Sequence, residues 1–164
     1  MEKILAALLT AAIVMGGYTV NAQLSDKTTL LNMHNVGVDK AAVRAERNFW
    51  KRNGEQKEEQ WYKISGGFLA TFVEMEIHTS EVYDGGGNWV YAIRQYYEKD
   101  LPAEVRKMVK STYYDDAIGW VKEVWNAGAD EDAPVYVVHI ENSSSWKDLS
   151  IHDGIMEVLH SYRK

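Results

Sequence analysis

The sequence predicts an α+β fold: a tandem repeat of a helix plus a four-stranded antiparallel sheet, with two helices packed on one face of a roughly eight-stranded sheet. Three observations predict it. Two stretches, around Asp39–Lys51 and Pro102–Tyr113, carry apolar residues at helical spacing. Each is followed by short runs of alternating, β-branched and aromatic residues, the mark of strands. Each run of strands also contains an Asp-Gly pair, Asp84–Gly85 and Asp153–Gly154, of the kind that closes hairpins. Two apolar helical stripes need cover, and one face of an antiparallel sheet can cover both.

The first residues read as an address. Met1–Glu2–Lys3 precedes an apolar run from Ile4 to Gly17, and Val20–Asn21–Ala22 offers a cleavage site, the pattern of a secretory signal peptide over residues 1–22. The apolar run is shorter than the roughly 20 residues that span a bilayer. Cleavage after Ala22 is expected, giving an exported chain without a membrane anchor. There is no cysteine, so a lipid cannot be attached at the cut, and no disulfide, thiolate metal site or cysteine nucleophile is available. The chain left after cleavage is still long enough to build a core without disulfides. Residues 23–38 are polar, lack a clean period and read as an extended lead-in.

Regular structure starts at Asp39, a good N-cap residue. Ala42, Ala45 and Phe49, with Val43 and Trp50 beside them, form one stripe, and Asn53–Gly54 ends it. Gln60–Ser65 is a short aromatic strand. Leu69, Thr71, Val73, Met75 and Ile77 recur at period two, which predicts a single half-buried strand. Glu81–Tyr83 reads as a short strand before the turn Asp84–Gly85–Gly86–Gly87–Asn88, and Trp89–Tyr97 as the next. The order then begins again. Pro102 suits a first helical turn, and Val105, Met108, Val109, Thr112 and Tyr113 match the helical template. Strands follow at Ala117–Trp125, Val135–Glu141, Trp146–Ile151 and Ile155–Tyr162, with an acidic turn over Ala127–Pro134. Ala41-x-Val43-Arg44 echoes Ala103-x-Val105-Arg106. The shared order of elements suggests two repeats, 39–100 and 101–164, within one domain.

One group of residues carries a family resemblance. Val82–Tyr83–Asp84, Gly87 and Trp89, then Leu101–Pro102, Val105, Tyr113 or Tyr114, and a strand holding Trp120 together resemble the PepSY-like family of β-lactamase-inhibitor-like proteins. The resemblance covers about Asp39 to Lys164. It implies the helix-plus-sheet tandem repeat, a periplasmic or extracellular location in a Gram-negative, Bacteroidetes-like cell, and no catalytic residues. The family name implies an architecture in which a concave sheet grips a partner protein.

Composition narrows the chemistry. With 18 Lys+Arg against 24 Asp+Glu and a net charge of −6, the chain lacks the basic surface of a nucleic-acid binder. No nucleophile-elbow, zinc-protease, Walker or dinucleotide motif occurs. Gly85–Gly87 lies between strands and opens no helix, so it reads as a hairpin turn and not as a phosphate cradle. Asp115–Asp116 and Asp130–Glu131–Asp132 fall in turns and read as solvated acidic loops. His34, His78, His139, His152 and His160 are scattered; His152 and His160 flank one hairpin and are the pair that can approach. No cofactor and no enzymatic activity are expected.

What remains is the aromatic excess, 6 Trp and 10 Tyr against 3 Phe. Half-buried amphipathic rings either pack a sheet or line a binding face. If Leu69, Val73 and Met75 meet the helices, Phe72 faces outward. The same alternation puts Arg94 with Tyr96, Trp120 with Lys122, and Val137 with His139 on the open face. The expected binding residues are therefore Phe72, Arg94, Tyr96, Trp120, Lys122 and His139, the alternative being that several are packed under loops. The expected function is an exported binding protein for a protein or peptide. The rivals are an inhibitor of an exported protease or β-lactamase, and an envelope sensor of a small ligand or metal that uses His152 and His160.

Overall fold

The computed structural model describes residues 29–31, 39–56, 58–127 and 133–164. The predicted signal peptide lies outside them, as does the acidic run 130–132. Within these residues, strand β1 (Thr29–Leu31) precedes helix α1 (Lys40–Asn53). Strands β2 (Gln60–Ile64), β3 (Gly67–Glu74), β4 (Ile77–Asp84) and β5 (Trp89–Tyr97) follow. A 3-10 turn (Glu98–Asp100) leads into helix α2 (Ala103–Thr112). Strands β6 (Ala117–Asn126), β7 (Val135–Glu141), β8 (Ser145–His152) and β9 (Ile155–Arg163) complete the chain. All nine strands form one antiparallel sheet in sequence order. β1 was not expected: its three residues come from the lead-in and pair with β2.

The helices form for local reasons. Asp39 is extended and its carboxylate accepts from the backbone N–H groups of Ala41 and Ala42, at 3.0 and 3.3 Å, which satisfies two N–H groups a helix start leaves orphaned. Gly54 ends α1 at φ 70°. α1 buries Ala42, Ala45 and Phe49, while Val43 and Trp50 stay exposed. α2 starts behind Pro102 and buries Val105 and Val109.

Register fixes which sheet face these stripes cover, because directly opposed residues of an antiparallel ladder share a face. Phe72 opposes Thr79, which opposes Arg94, then Glu123, Tyr136 and Ile151. That row runs from the core beneath α1 to the core beneath α2. The first core joins Ala42, Ala45 and Phe49 to Trp61, Phe68, Ala70, Phe72 and Tyr83. The second joins Leu101, Val105 and Val109 to Tyr96, Val121, Val138, Ile140, Leu149 and Ile151. Both helices therefore cover the same face. Burying a ring such as Phe49 completely contributes about 2–3 kcal/mol.

The sequence reading goes wrong in β3. The chain turns at Met75–Glu76, both at positive φ (48° and 69°), so Ile77 starts β4 and does not continue β3. The residues under α1 are Phe68, Ala70 and Phe72, and Val73 and Met75 are exposed. β3 is apolar on both faces over its first half, and two non-glycine residues make the turn, so the alternation was read in the wrong phase.

A polar belt separates the two cores on the helix face. Buried Glu81 accepts from the Tyr83 hydroxyl at 2.5 Å. Buried Glu123 accepts from the Tyr96 hydroxyl at 2.7 Å, Trp125 Nε1 at 2.6 Å and Arg94 Nη1 at 3.2 Å. These donors offset much of the cost of burying a carboxylate. Burial, and then the bond to a glutamate, push the Tyr83 and Tyr96 phenols well above the usual tyrosine range.

The glycine-rich turn is a packing device. Asp84 Oδ1 accepts from the N–H groups of Gly86 and Asn88, at 2.8 and 2.9 Å, and the bonds from Asn88 hold its carboxyl below the usual range. Gly87 sits at φ 80°, and a Cβ there would lie 2.3 Å from the Ala41 carbonyl oxygen. Asn48 of α1 donates to the Gly87 carbonyl at 2.7 Å. The turn thus docks directly on the helix.

Candidate binding face

The second sheet face carries no helix among the described residues. The row of opposed residues across it is Gln95, Lys122, Val137 and Ser150. One step along, His139 opposes Asp148, and Asp148 opposes His160. A further step brings Trp146 opposite Tyr162.

Two irregularities of register converge on this point. Between Ile118 and Val121 the β6–β7 register shifts by one residue. The shift brings Gly119 against His139, where a Cβ would lie 3.2 Å from the imidazole Cδ2. Trp120 then lies flat on His139, with centroids 5.1 Å apart and planes at 10°. Between Asp148 and Leu149 a second shift leaves Leu159 as the extra residue of β9 and carries His160 onto the Asp148 side. β-Bulges re-aim side chains in this way.

The result is a continuous row of rings, the ring stack, stacked at both ends and tilted by 43° between His139 and Trp146. His139 meets Trp146 at 5.4 Å, and Trp146 stacks on Tyr162 at 4.2 Å. Asp148, almost fully buried, is the anchor: His139 Nδ1 lies 2.8 Å from its Oδ1. His160 Nδ1 lies 3.8 Å from Oδ2, an ion-pair distance too long for a hydrogen bond. Lys122 reaches over Trp120, its Nζ 4.8 Å from the ring centre. Burial pulls the Lys122 ammonium below the usual lysine range, and the Asp148 charge opposes that shift. Beneath the rings the face is closed, with Val137 at 0% and Lys122 at 3% exposure. The rings of Trp120 and Trp146 are partly exposed and Tyr162 is 49% exposed.

The six residues expected on this face divide. Trp120, Lys122 and His139 lie together on it. Phe72 and Tyr96 are core residues of the helix face, Phe72 edge-on to Phe49 at 5.4 Å, and Arg94 is on the helix face, paired with Glu123. The phase error in β3 accounts for Phe72. In β5 both faces carry aromatics, and only the ladder to Val121 and Glu123 shows that Tyr96 and Arg94 point toward the helices.

Sequence reasoning missed Trp146, Asp148 and Tyr162, and it placed His160 with His152 and not on this face. Alternation in β8 puts Trp146 and Asp148 on one face and was a usable signal. The bulge that aligns His160 and Tyr162 leaves no mark in composition. His152 and His160 do not form the expected pair: His152 lies 3.2 Å from Asp153 at the turn, while His160 faces Asp148. Among the described residues no group of three or more His, Asp or Glu side chains is placed to hold a metal. Asp116 is not a solvated loop acid: it is buried and takes a 2.6 Å hydrogen bond from Asn142 Nδ2. No helix among the described residues is long and apolar enough to cross a membrane.

No family model matches the chain, and no curated protein is similar to it in sequence. Solved structures are similar in fold. A BLIP-like protein from Bacteroides fragilis NCTC 9343 superposes with a TM-score of 0.59 at 15% identity, covering 74% of this chain and 84% of that one. A DUF2874 family protein from Bacteroides ovatus ATCC 8483 gives 0.58 at 16% identity, covering 73% and 85%. A candidate periplasmic protein from Bacteroides eggerthii DSM 20697 gives 0.56 at 15% identity, covering 73% and 86%. At such identities the likeness is one of fold: an α+β architecture with an open antiparallel sheet and two helices, shared with BLIP-like and DUF2874 proteins of Bacteroides.

Proposed function

We propose that this is an exported, non-enzymatic binding protein that takes a protein or peptide onto the second face of its sheet. The observation that carries the reading is the ring stack Trp120–His139–Trp146–Tyr162, fixed from below by Asp148. Trp and Tyr dominate the energetics of protein interfaces, and rings held before binding lose little entropy on binding. The stack is rigid at its base and half-exposed at its tips. Export is supported by the residues 1–22 pattern and by the fold shared with a candidate periplasmic protein. The PepSY-like assignment and the origin of the fold by duplication belong to the same proposal. The order helix, four strands, helix, four strands supports them.

Capture from a periplasmic extract tests it. The protein, a Trp120→Ala/Trp146→Ala variant and a helix-surface variant, Arg47→Ala/Lys107→Ala, are each immobilised. A partner retained by the first and third and lost from the second supports the reading. A partner lost only with the helix-surface variant contradicts it.

A second reading has one observation in its favour, the BLIP-like name of the Bacteroides fragilis structure. In it the same face inhibits an exported hydrolase. Assays of β-lactamases and envelope proteases with excess protein distinguish it: saturable inhibition abolished by Trp120→Ala favours it, and full residual activity counts against it.

A further inference from the structure

We propose that strand β9 is the interface of a two-fold symmetric homodimer, in which the edges of two sheets pair antiparallel and continue one another. β9 is the last strand of the sheet, and among the described residues nothing pairs with its outer edge. It is nine residues long and exposes Ile155 at 63%, Val158 at 49% and Tyr162 at 49%. An edge row of unpaired N–H and C=O groups is a template for another strand, and natural edges are blunted with Lys, Pro or charge. From Ile155 to Tyr162 this edge has neither Lys nor Pro, and Glu157 is its only carboxylate; its protections are Arg163 at the end of the strand and the bulge at Leu159.

The bulge restricts how a second copy can pair. Before Leu159, Ile155 and Glu157 share the ring-stack face, and Met156 and Val158 the helix face. After it, His160 and Tyr162 lie on the ring-stack face. Opposed residues in an antiparallel pair share a face, so a register that engages both limbs sets each limb against the other limb of its partner. Two registers that engage both limbs satisfy this. One sets Glu157 opposite Tyr162 of the second copy and Val158 opposite Ser161, which pairs unlike groups. The other sets Ile155 opposite Tyr162, Glu157 opposite His160 and Met156 opposite Ser161, with Val158 and Leu159 at the two-fold axis.

The second register is the self-complementary one. It pairs the two exposed apolar side chains of the ring-stack face with each other and the one carboxylate with an imidazole, and symmetry makes each pair twice. The occupant of the edge is therefore a second copy of this chain. Tyr162 already stacks on Trp146, so Ile155 of the second copy extends the ring stack across the axis. Tyr162 is shared with the proposed binding face, whereas Trp120 lies three strands inward, so Trp120→Ala is expected to weaken partner binding and to leave dimerisation unchanged.

Sedimentation equilibrium of the purified protein tests the state, and cysteine mixing tests the register. The chain has no cysteine, so each introduced thiol is unique. Opposed strand residues come within disulfide reach. Ile155→Cys and Tyr162→Cys chains are expected to form a disulfide-linked dimer when mixed and oxidised, and neither to do so alone. Glu157→Cys mixed with Tyr162→Cys is expected not to link. Glu157→Lys, an exposed change, is expected to raise the dimer Kd about tenfold or more, two pairs being lost together. A monomer at all concentrations, a dimer without the 155–162 link, or a link between 157 and 162 overturns the proposal.

Discussion

Trp120 lies parallel to His139 at 5.1 Å, and the same imidazole holds buried Asp148 at 2.8 Å. One histidine therefore joins a partly exposed indole to a buried carboxylate. His139→Ala removes both contacts and leaves Asp148 facing His160 at an ion-pair distance and the Lys122 charge. The expected loss is about 2 kcal/mol, the usual cost of orphaning a buried acceptor. His139→Ala/Asp148→Ala is expected to cost less than the sum of the single changes, because the orphaned group is then gone. Urea unfolding of the four proteins measures it.

The face assignment is tested by contrasting two aromatics. Phe72→Ala empties a site packed against Phe49 and is expected to cost about 3–5 kcal/mol. Trp120→Ala removes a partly exposed ring and is expected to cost much less in stability while acting on binding. Equal losses in chemical denaturation contradict the placement of the two faces.

The glycine turn gives a sharper structural test. Gly87→Ala must accommodate a Cβ at 2.3 Å from the Ala41 carbonyl at a positive φ, and the expected destabilisation is about 2 kcal/mol or more. At Gly86 the nearest atoms are the ends of the Asn88 and Asp84 side chains, at 3.2 Å, and they can move aside. Thermal unfolding should therefore rank Gly87→Ala well below Gly86→Ala.

Alkaline stability follows from the two buried phenols. Tyr83 and Tyr96 have raised pKa values in the fold. The unfolded chain releases those protons near pH 10, the ordinary tyrosine value, while the folded chain keeps them. Their contribution is thus complete below about pH 10 and is lost as pH rises toward the folded values. Tyrosinate absorbance should show these two phenols titrating only with unfolding, and Tyr96→Phe should flatten the fall in stability above about pH 10.

How much of this was legible in the sequence depends on what each feature needs. Helix α1 was legible because Asp39 caps it locally and Ala42, Ala45 and Phe49 repeat on one side. β7 was legible end to end, Val135 to Glu141, because its run is bounded by Pro134 and a Ser-rich turn. The face of Phe72 was not, because Met75–Glu76 turns without glycine or asparagine and shifts the phase of everything read from Ile77 backward. The pairing of His139 with Asp148 needs only the β7–β8 hairpin, so it was within reach. The alignment of His160 and Tyr162 needs the bulge at Leu159, a tertiary choice among registers that no local propensity encodes.

The central claim is that the ring stack opposite the helices is the binding face. Its most direct measurement is the Kd of a captured partner for the protein and for Trp120→Ala, Trp146→Ala and Arg47→Ala, each checked for folding. The expected result is a loss of about tenfold or more for each tryptophan, the scale of an interface hot spot, and no change for Arg47→Ala. Unchanged affinity in both tryptophan variants contradicts the claim.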